Sequence, residues 1–323
     1  MATKAIDNAF TASAPFGAAS DPTYAGALSF MRRRYTKDVS GTDVAVWGIA
    51  FDASVSNRPG TRFGPQAIRR ASAIFDNDPQ YPFHADFFEV LDVVDYGDCL
   101  LDYRLPERAH LAMRKEASEL LEKTDFLLTL GGDHSITYPL LQAHAERHGK
   151  LSLVHFDAHQ DTWPLAGDTH GRPRVDHGSF VSAALRDGLI DPDTSIQIGI
   201  RTHAPETGGL EIVYGHEVED LSSAEIAKRI YERTGGTNCY LTFDIDCLDV
   251  AFAPGTGTPV AGGPSSAKML AVLHHLKNLD LKGADVVEVS PPYDHADMTA
   301  IAGSTVAVYI LGILADKKAK RQG

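Results

Sequence analysis

The stretch LSLVHFDAHQD, residues 151–161, sets a short apolar run directly before three side chains that bind cations. LSLV is continuous rather than alternating, as expected of a strand buried on both faces. If the extended chain persists beyond it, Asp157, His159 and Asp161 project to one side, successive members about 7 Å apart. Two carboxylates flanking an imidazole at the exit of a buried strand form a metal claw, because buried acids are rare unless paired or metal-bound. Two other fragments repeat the arrangement. Asp244 and Asp246 end the run NCYLTF as DID, and His134 follows the run FLLTL within GGDHS. Four aspartates and two histidines are too many for one small ion and suit two ions sharing ligands. Nitrogen and oxygen donors without thiolate disfavour structural zinc and favour Mn²⁺, then Co²⁺, Ni²⁺ or Fe²⁺. Four carboxylates balance two divalent charges, so such a cage does not repel a cationic substrate.

Outward from this stretch, similar apolar runs recur at 44–51, 90–97, 125–132, 195–200, 211–215, 238–245 and 283–290. Helical patterns separate several of them, at 107–123, 137–149, 223–235 and 266–279, and a long apolar helix occupies 299–317. Alternation of strand and helix predicts an α/β fold with a doubly wound parallel sheet. Ligands bind outside the carboxyl ends of such strands, where His134, the 157–161 claw, Asp244 with Asp246, and Glu288 all stand. Residues 1–40, rich in Ala, Ser, Thr and Pro, read as an N-terminal arm, and 41–323 as a single catalytic domain.

A net charge of −13 argues against nucleic acid or an anionic membrane as partner. No apolar run is read as approaching the roughly 20 residues of a membrane helix. Three cysteines, Cys99, Cys239 and Cys247, imply no disulfide framework. The N-terminus lacks the apolar core of a secretory signal, so a cytoplasmic enzyme is expected.

GGDHS, HFDAHQD, LTFDIDCLDVAFAPGTGTPVAGG and VVEVSPPYD resemble, in this order, motifs of the ureohydrolase family, which includes arginase, agmatinase and guanidinobutyrase. NRPGTRFGPQAIR at 57–69 adds to the match, and SIQIGIRT at 195–202 is most similar to bacterial agmatinases. The resemblance implies a three-layer α/β/α, arginase-like fold with a mainly parallel eight-stranded sheet. It implies two manganese ions and hydrolysis of a guanidino group to urea and an amine, by a homo-oligomer, trimer or hexamer. By motif, His134, Asp157, Asp161 and Asp244 would hold one ion. Asp157, His159, Asp244 and Asp246 would hold the other. His177 matches the family's proton-transfer histidine, and Glu288 the carboxylate that holds the guanidinium. As a mechanistic expectation apart from the motif match, Asp161 would pass a proton to the leaving amine, and Asp246 and Trp163 would face the substrate.

The residues alone leave alternatives open. His177 could cap the helix that follows Gly178–Ser179. Glu288, read as lying within a buried strand, needs a partner, for which Arg58 or Arg62 would serve. His155 reads as a packing or outer residue. The loop 161–178 should line the mouth, with Trp163 against the substrate's tail or simply packed. Asp168 and Asp176 would attract a terminal amine, whereas Arg172 or Arg174 would suit a guanidino acid. Agmatine is the first expectation. A guanidinobutyrase, a guanidinopropionase and a single-metal deacetylase-like hydrolase are the rivals.

Overall fold

The computed structural model describes residues 23–75, 80–83, 86–167 and 173–322. The first 22 residues of the expected arm, and Asp168 and Arg172 of the mouth loop, lie outside them. Eight strands form one sheet: β1 Thr42–Gly48, β2 Val93–Asp98, β3 Thr124–Leu130, β4 Ser152–Phe156, β5 Ile196–Ile200, β6 Glu211–Tyr214, β7 Cys239–Asp244 and β8 Leu281–Val287. Their spatial order is β2-β1-β3-β8-β7-β4-β5-β6. Every pairing in it is parallel.

Alternate strand residues feed two separate cores, which is why the runs read as continuously apolar. Val44, Leu128, Phe156, Phe243 and Val286 meet helices α1 (Gly64–Ser72), α6 (Ser223–Thr234), α7 (Ser266–His275) and α8 (Met298–Gln322) on one face. Trp47, Leu127, Leu153, Tyr240 and Val287 meet α2 (Ala109–Leu121), α3 (Thr137–His148) and α4 (Phe180–Arg186) on the other. The short α5 (Gly215–Asp220) adds Val218 to the first core. This is the three-layer α/β/α architecture expected from the sequence.

Two expectations about the ends need correction. Residues 29–35, assigned by composition to the arm, are packed onto the outer edge of β2. Phe30 and Met31 are fully buried, Phe30 N donates to Asp95 Oδ2 (2.7 Å), and Tyr35 bridges Asp95. The segment covers an otherwise open sheet edge. A stretch of membrane-span length also exists after all. The most apolar 18 residues within Met298–Lys320 have a mean hydropathy of 1.9, but 72% of that window is buried inside the protein, in the core helix α8.

α3 carries a buried titratable group far from the site. His144 Nδ1 bonds the Leu140 carbonyl (2.8 Å), and its Nε2 has no partner. Burial holds it down at about 4, below its ordinary 6.5. The unfolded chain therefore takes up the proton first. The contribution is complete above pH 6.5 and is lost as the pH falls toward 4, by roughly 3 kcal/mol. His144→Phe should lose less Tm than the parent between pH 8 and pH 5; identical acid sensitivity would contradict this.

Candidate metal centre

The four central strands, β3, β8, β7 and β4, deliver the candidate ligands from their carboxyl ends. After β3, Gly131–Gly132 turns the chain under the β1 loop. A Cβ on Gly132 would stand 2.1 Å from the Phe51 carbonyl oxygen, so only glycine fits. Asp133 then caps the 3₁₀ turn His134–Ile136 by accepting from Ser135 N (3.0 Å), and His134 points into the centre.

Around His134 Nδ1 lie three carboxylate oxygens: Asp157 Oδ2 at 3.0 Å, Asp161 Oδ2 at 3.1 Å and Asp244 Oδ2 at 3.1 Å. The nitrogen, fully buried, makes a well-formed hydrogen bond to none of them. One N–H can serve one oxygen, whereas atoms spaced about 3 Å apart are the edges of a polyhedron about a cation with bonds of about 2.1 Å. Asp157 turns its other oxygen to a second group. His159 Nδ1 lies 3.3 Å from Asp157 Oδ1 and 3.2 Å from Asp246 Oδ2. Two ligand groups with Asp157 in common thus stand side by side.

The electrostatics fit cations. Burial opposes charge on His159, yet Asp246 and Asp157 hold it up at about 12; Asp157, Asp161 and Asp244 raise His134 well above its ordinary value likewise. Burial would raise Asp157 too, but His155, His134 and His159 keep it well below the ordinary carboxylate value. Asp244 is pushed well up by burial and by the charges of Asp246 and Asp157. The cage is short of positive charge, and two divalent cations would supply it.

The backbone differs from the extended claw expected of 157–161. β4 ends at Phe156, the chain bends, and Asp161 adopts a left-handed φ of 51°. That curl is what returns Asp161 to His134, since an extended chain would carry it some 14 Å beyond Asp157. Glu288 is likewise not within a strand. It follows β8 with a φ of 62°, a second non-glycine residue strained at the site.

The partner expected for Glu288 is neither arginine. Arg62 pairs with Asp52, and Arg58 lies over the Tyr293 ring at 5.1 Å. Glu288 Oε1 instead accepts from His134 N (2.9 Å) and contacts His177 Nδ1 (3.1 Å), while its buried Oε2 has no partner. His177 caps no helix; α4 begins at Phe180 behind Ser179. Burial works against the imidazolium, but the bond and charge of Glu288 pull His177 up to about 9. Opposing that pull, Ser56 N donates to His177 Nε2 (2.9 Å), which an imidazolium could not accept.

Above the cage opens a cavity of about 380 Å³ lined by His159, Asp161, Asp244, Trp163, Asp176 and His177, among others. Trp163 is 44% exposed and stands beside Gly178, where a Cβ would be 3.3 Å from its ring. Asp176 is exposed at the rim, with Oδ1 accepting from Ser179 Oγ (2.7 Å). Arg174 is exposed and is not among the lining residues.

Residues 42–312 match the model of the Arginase family. The chain belongs to the arginase family. It is 45% identical over 313 residues to an agmatinase of Chromobacterium violaceum, covering 97% of this chain and 96% of that protein. An agmatinase of Neisseria meningitidis serogroup C is 44% identical over 280 residues, covering 86% and 89%. Among solved structures, a hypothetical agmatinase from Burkholderia thailandensis superposes with a TM-score of 0.92 at 47% identity, covering 97% and 98% of the two chains. Proclavaminate amidino hydrolase from Streptomyces clavuligerus follows at 0.86 and 38%, covering 92% and 100%. This arginase-family chain is a ureohydrolase, an enzyme that breaks C–N bonds.

Several groups of this family site escape sequence reasoning. Thr242 Oγ1 donates to Asp285 (2.5 Å) and so accepts from His134 Nε2 (2.8 Å), leaving Nδ1 for the cage. Tyr240 and Thr137 hydroxyls complete the bonding of Asp285 at 2.8 and 2.9 Å. Gln197 Nε2 bonds His155 Nδ1 (2.9 Å), so His155 Nε2 donates to Asp157 Oδ2 (2.7 Å); both ring nitrogens are engaged, as expected of an outer residue. Arg201 donates to the carbonyls of Asp246, Cys247 and Leu248, bracing the turn that presents Asp246. A fully buried acid inside the run GADVVEVS was the one available signal, and it pointed to Asp285. Ser56, on a loop without a pattern, had none.

Proposed function

We propose that the chain hydrolyses agmatine to putrescine and urea with two Mn²⁺ ions. His134, Asp157, Asp161 and Asp244 would hold one ion, and Asp157, His159, Asp244 and Asp246 the other. The observation that carries the substrate class is Glu288 Oε2, a buried carboxylate oxygen without a partner beside the cage. A buried, unpaired acceptor is costly, and a guanidinium N–H satisfies it.

The bound ions would supply the charge that lets a shared water ionise near neutral pH. Glu288 binds and orients the guanidinium through Oε2 while Oε1 stays on His134 N and His177. Asp161 holds the proton released on attack and gives it to the leaving amine nitrogen. His177 exchanges protons with solvent. Trp163 closes one wall against the aliphatic tail, and Asp176 at the rim favours an ammonium there. No lysine or arginine is among the described lining residues, which weighs against a guanidino acid.

Gly257 keeps the guanidinium site open. A Cβ there would stand 3.3 Å from Glu288 Oε2 and 3.1 Å from the Arg58 carbonyl oxygen. Gly257→Ala should raise the KM for agmatine about tenfold with a smaller change in kcat, measured by urea release; an unchanged KM would refute this.

The deciding assay compares agmatine, 4-guanidinobutanoate, 3-guanidinopropanoate and arginine with added Mn²⁺. The highest kcat/KM is expected for agmatine, and a faster guanidino acid would overturn that choice. Elemental analysis giving one metal per chain would favour the deacetylase-like rival. The same reading makes the enzyme a cytoplasmic trimer or hexamer, checked by sedimentation of the purified protein.

A further inference from the structure

Residues 52–60 form a loop over the cavity rim that is tied down along its length. Asp52 Oδ2 accepts from Gly60 N (2.8 Å), Asp133 Oδ2 from Ser54 N (3.0 Å), and Asn57 Nδ2 donates to the Gly257 carbonyl (2.9 Å). The loop also holds the backbone of His177, whose N donates to the Ser54 carbonyl (3.1 Å). Ser56 itself is exposed and lines the cavity, yet its amide and its hydroxyl meet one atom. Its N lies 2.9 Å and its Oγ 2.7 Å from His177 Nε2.

A peptide N–H only donates, so the nitrogen it faces must offer a lone pair. His177 Nε2 is therefore unprotonated at rest, and Nδ1 carries the hydrogen, donated to Glu288 Oε1 (3.1 Å). Glu288 by itself would favour a doubly protonated ring. The Ser56 amide opposes this and keeps Nε2 ready to take a proton. Once a proton sits on Nε2, the amide loses its acceptor. The Ser56 hydroxyl, which both accepts and donates, is then the group placed to receive it.

We infer that Ser56 is the positioning residue of His177: its amide fixes the ring with Nε2 free, and its hydroxyl passes protons between Nε2 and the water of the cavity. This rests on the guanidino-hydrolase reading of the pocket. In each transfer the Nε2–H bond breaks as a new Oγ–H bond forms, and the original Oγ–H proton leaves to water. The hydroxyl ends as it began.

The test uses Ser56→Ala, which keeps the amide and removes the hydroxyl, and Ser56→Thr, which keeps both. Because Ser56 is exposed, both variants are expected to fold. For S56A, kcat for urea release should fall about tenfold with KM changed less than about twofold. The acid limb of its kcat–pH profile should move to lower pH, because a protonated ring lacks its acceptor. S56T should recover the parent's kcat and profile. In ¹⁵N-histidine NMR of the Zn²⁺-loaded parent protein and of S56A, His177 should show an unprotonated Nε2 and a protonated Nδ1. A protonated Nε2 at neutral pH in the parent would overturn the amide's role. Unchanged kcat and pH profile in S56A, or S56T as slow as S56A, would overturn the hydroxyl's. If the parent released no urea from any guanidine, the reading of the pocket would fall instead, and the NMR tautomer would still decide the amide's role.

Discussion

Asp157→Asn is expected to take the protein from two bound divalent ions per chain to one or none, and to lower urea release by more than about 100-fold. Asp157 is the residue both ligand groups share, with Oδ2 toward His134 and Oδ1 toward His159 and its own turn, where it accepts from His159 N (2.6 Å). Asparagine has the same shape and keeps one of these oxygens, so the fold should survive. Its amide brings N–H groups where the cage needs lone pairs, and it removes one of four balancing charges. His159→Ala is the graded control. His159 stands in the second group alone, so that variant should lose one ion and retain the other. Elemental analysis after gel filtration reads both. Two ions per chain in Asp157→Asn would end the shared-ligand assignment, and two in His159→Ala would end the second site.

Glu288→Gln should lower kcat/KM for the guanidino substrate by about 10²–10³-fold while leaving metal content at two per chain. The amide can still accept from His134 N, so the turn that presents His134 is kept. What is lost is the negative charge proposed to hold the guanidinium, and the pull on His177. Glu288 is the main influence pulling His177 upward against its burial. A neutral side chain should therefore let His177 fall, and any limb of the pH–rate profile set by that ring should move to lower pH. Steady-state kinetics across pH measure both effects. Parent-like kcat/KM would remove Glu288 from the substrate's path.

Much of the architecture was written locally. The eight apolar runs overlap the eight strands, because a run this short, bounded by turn residues, suits a strand of a buried parallel sheet better than a helix. The clustered aspartates and histidines were visible too: at the end of an apolar run, such side chains are costly without a cation or a partner. Ser56, Thr258 and Arg201 gave no such signal, since a serine, threonine or arginine in a loop costs nothing until something packs against it. Thr258 donates to Asp246 Oδ2 (3.2 Å) across a loop that no periodicity could place.

The sequence by itself determined the strands, the aspartates and histidines that end them, and the family. Only the tertiary structure decided that β3, β8, β7 and β4 lie side by side, bringing His134, Glu288, Asp244 and Asp157 together from positions 134 to 288. Crossovers skip places in a parallel sheet, so chain order does not give spatial order, and strands only about 4.8 Å apart place their ends within reach of one cage. The left-handed backbone at Asp161 and Glu288 was decided there too. Neither residue favours that conformation locally, so it is the packing around them that holds it.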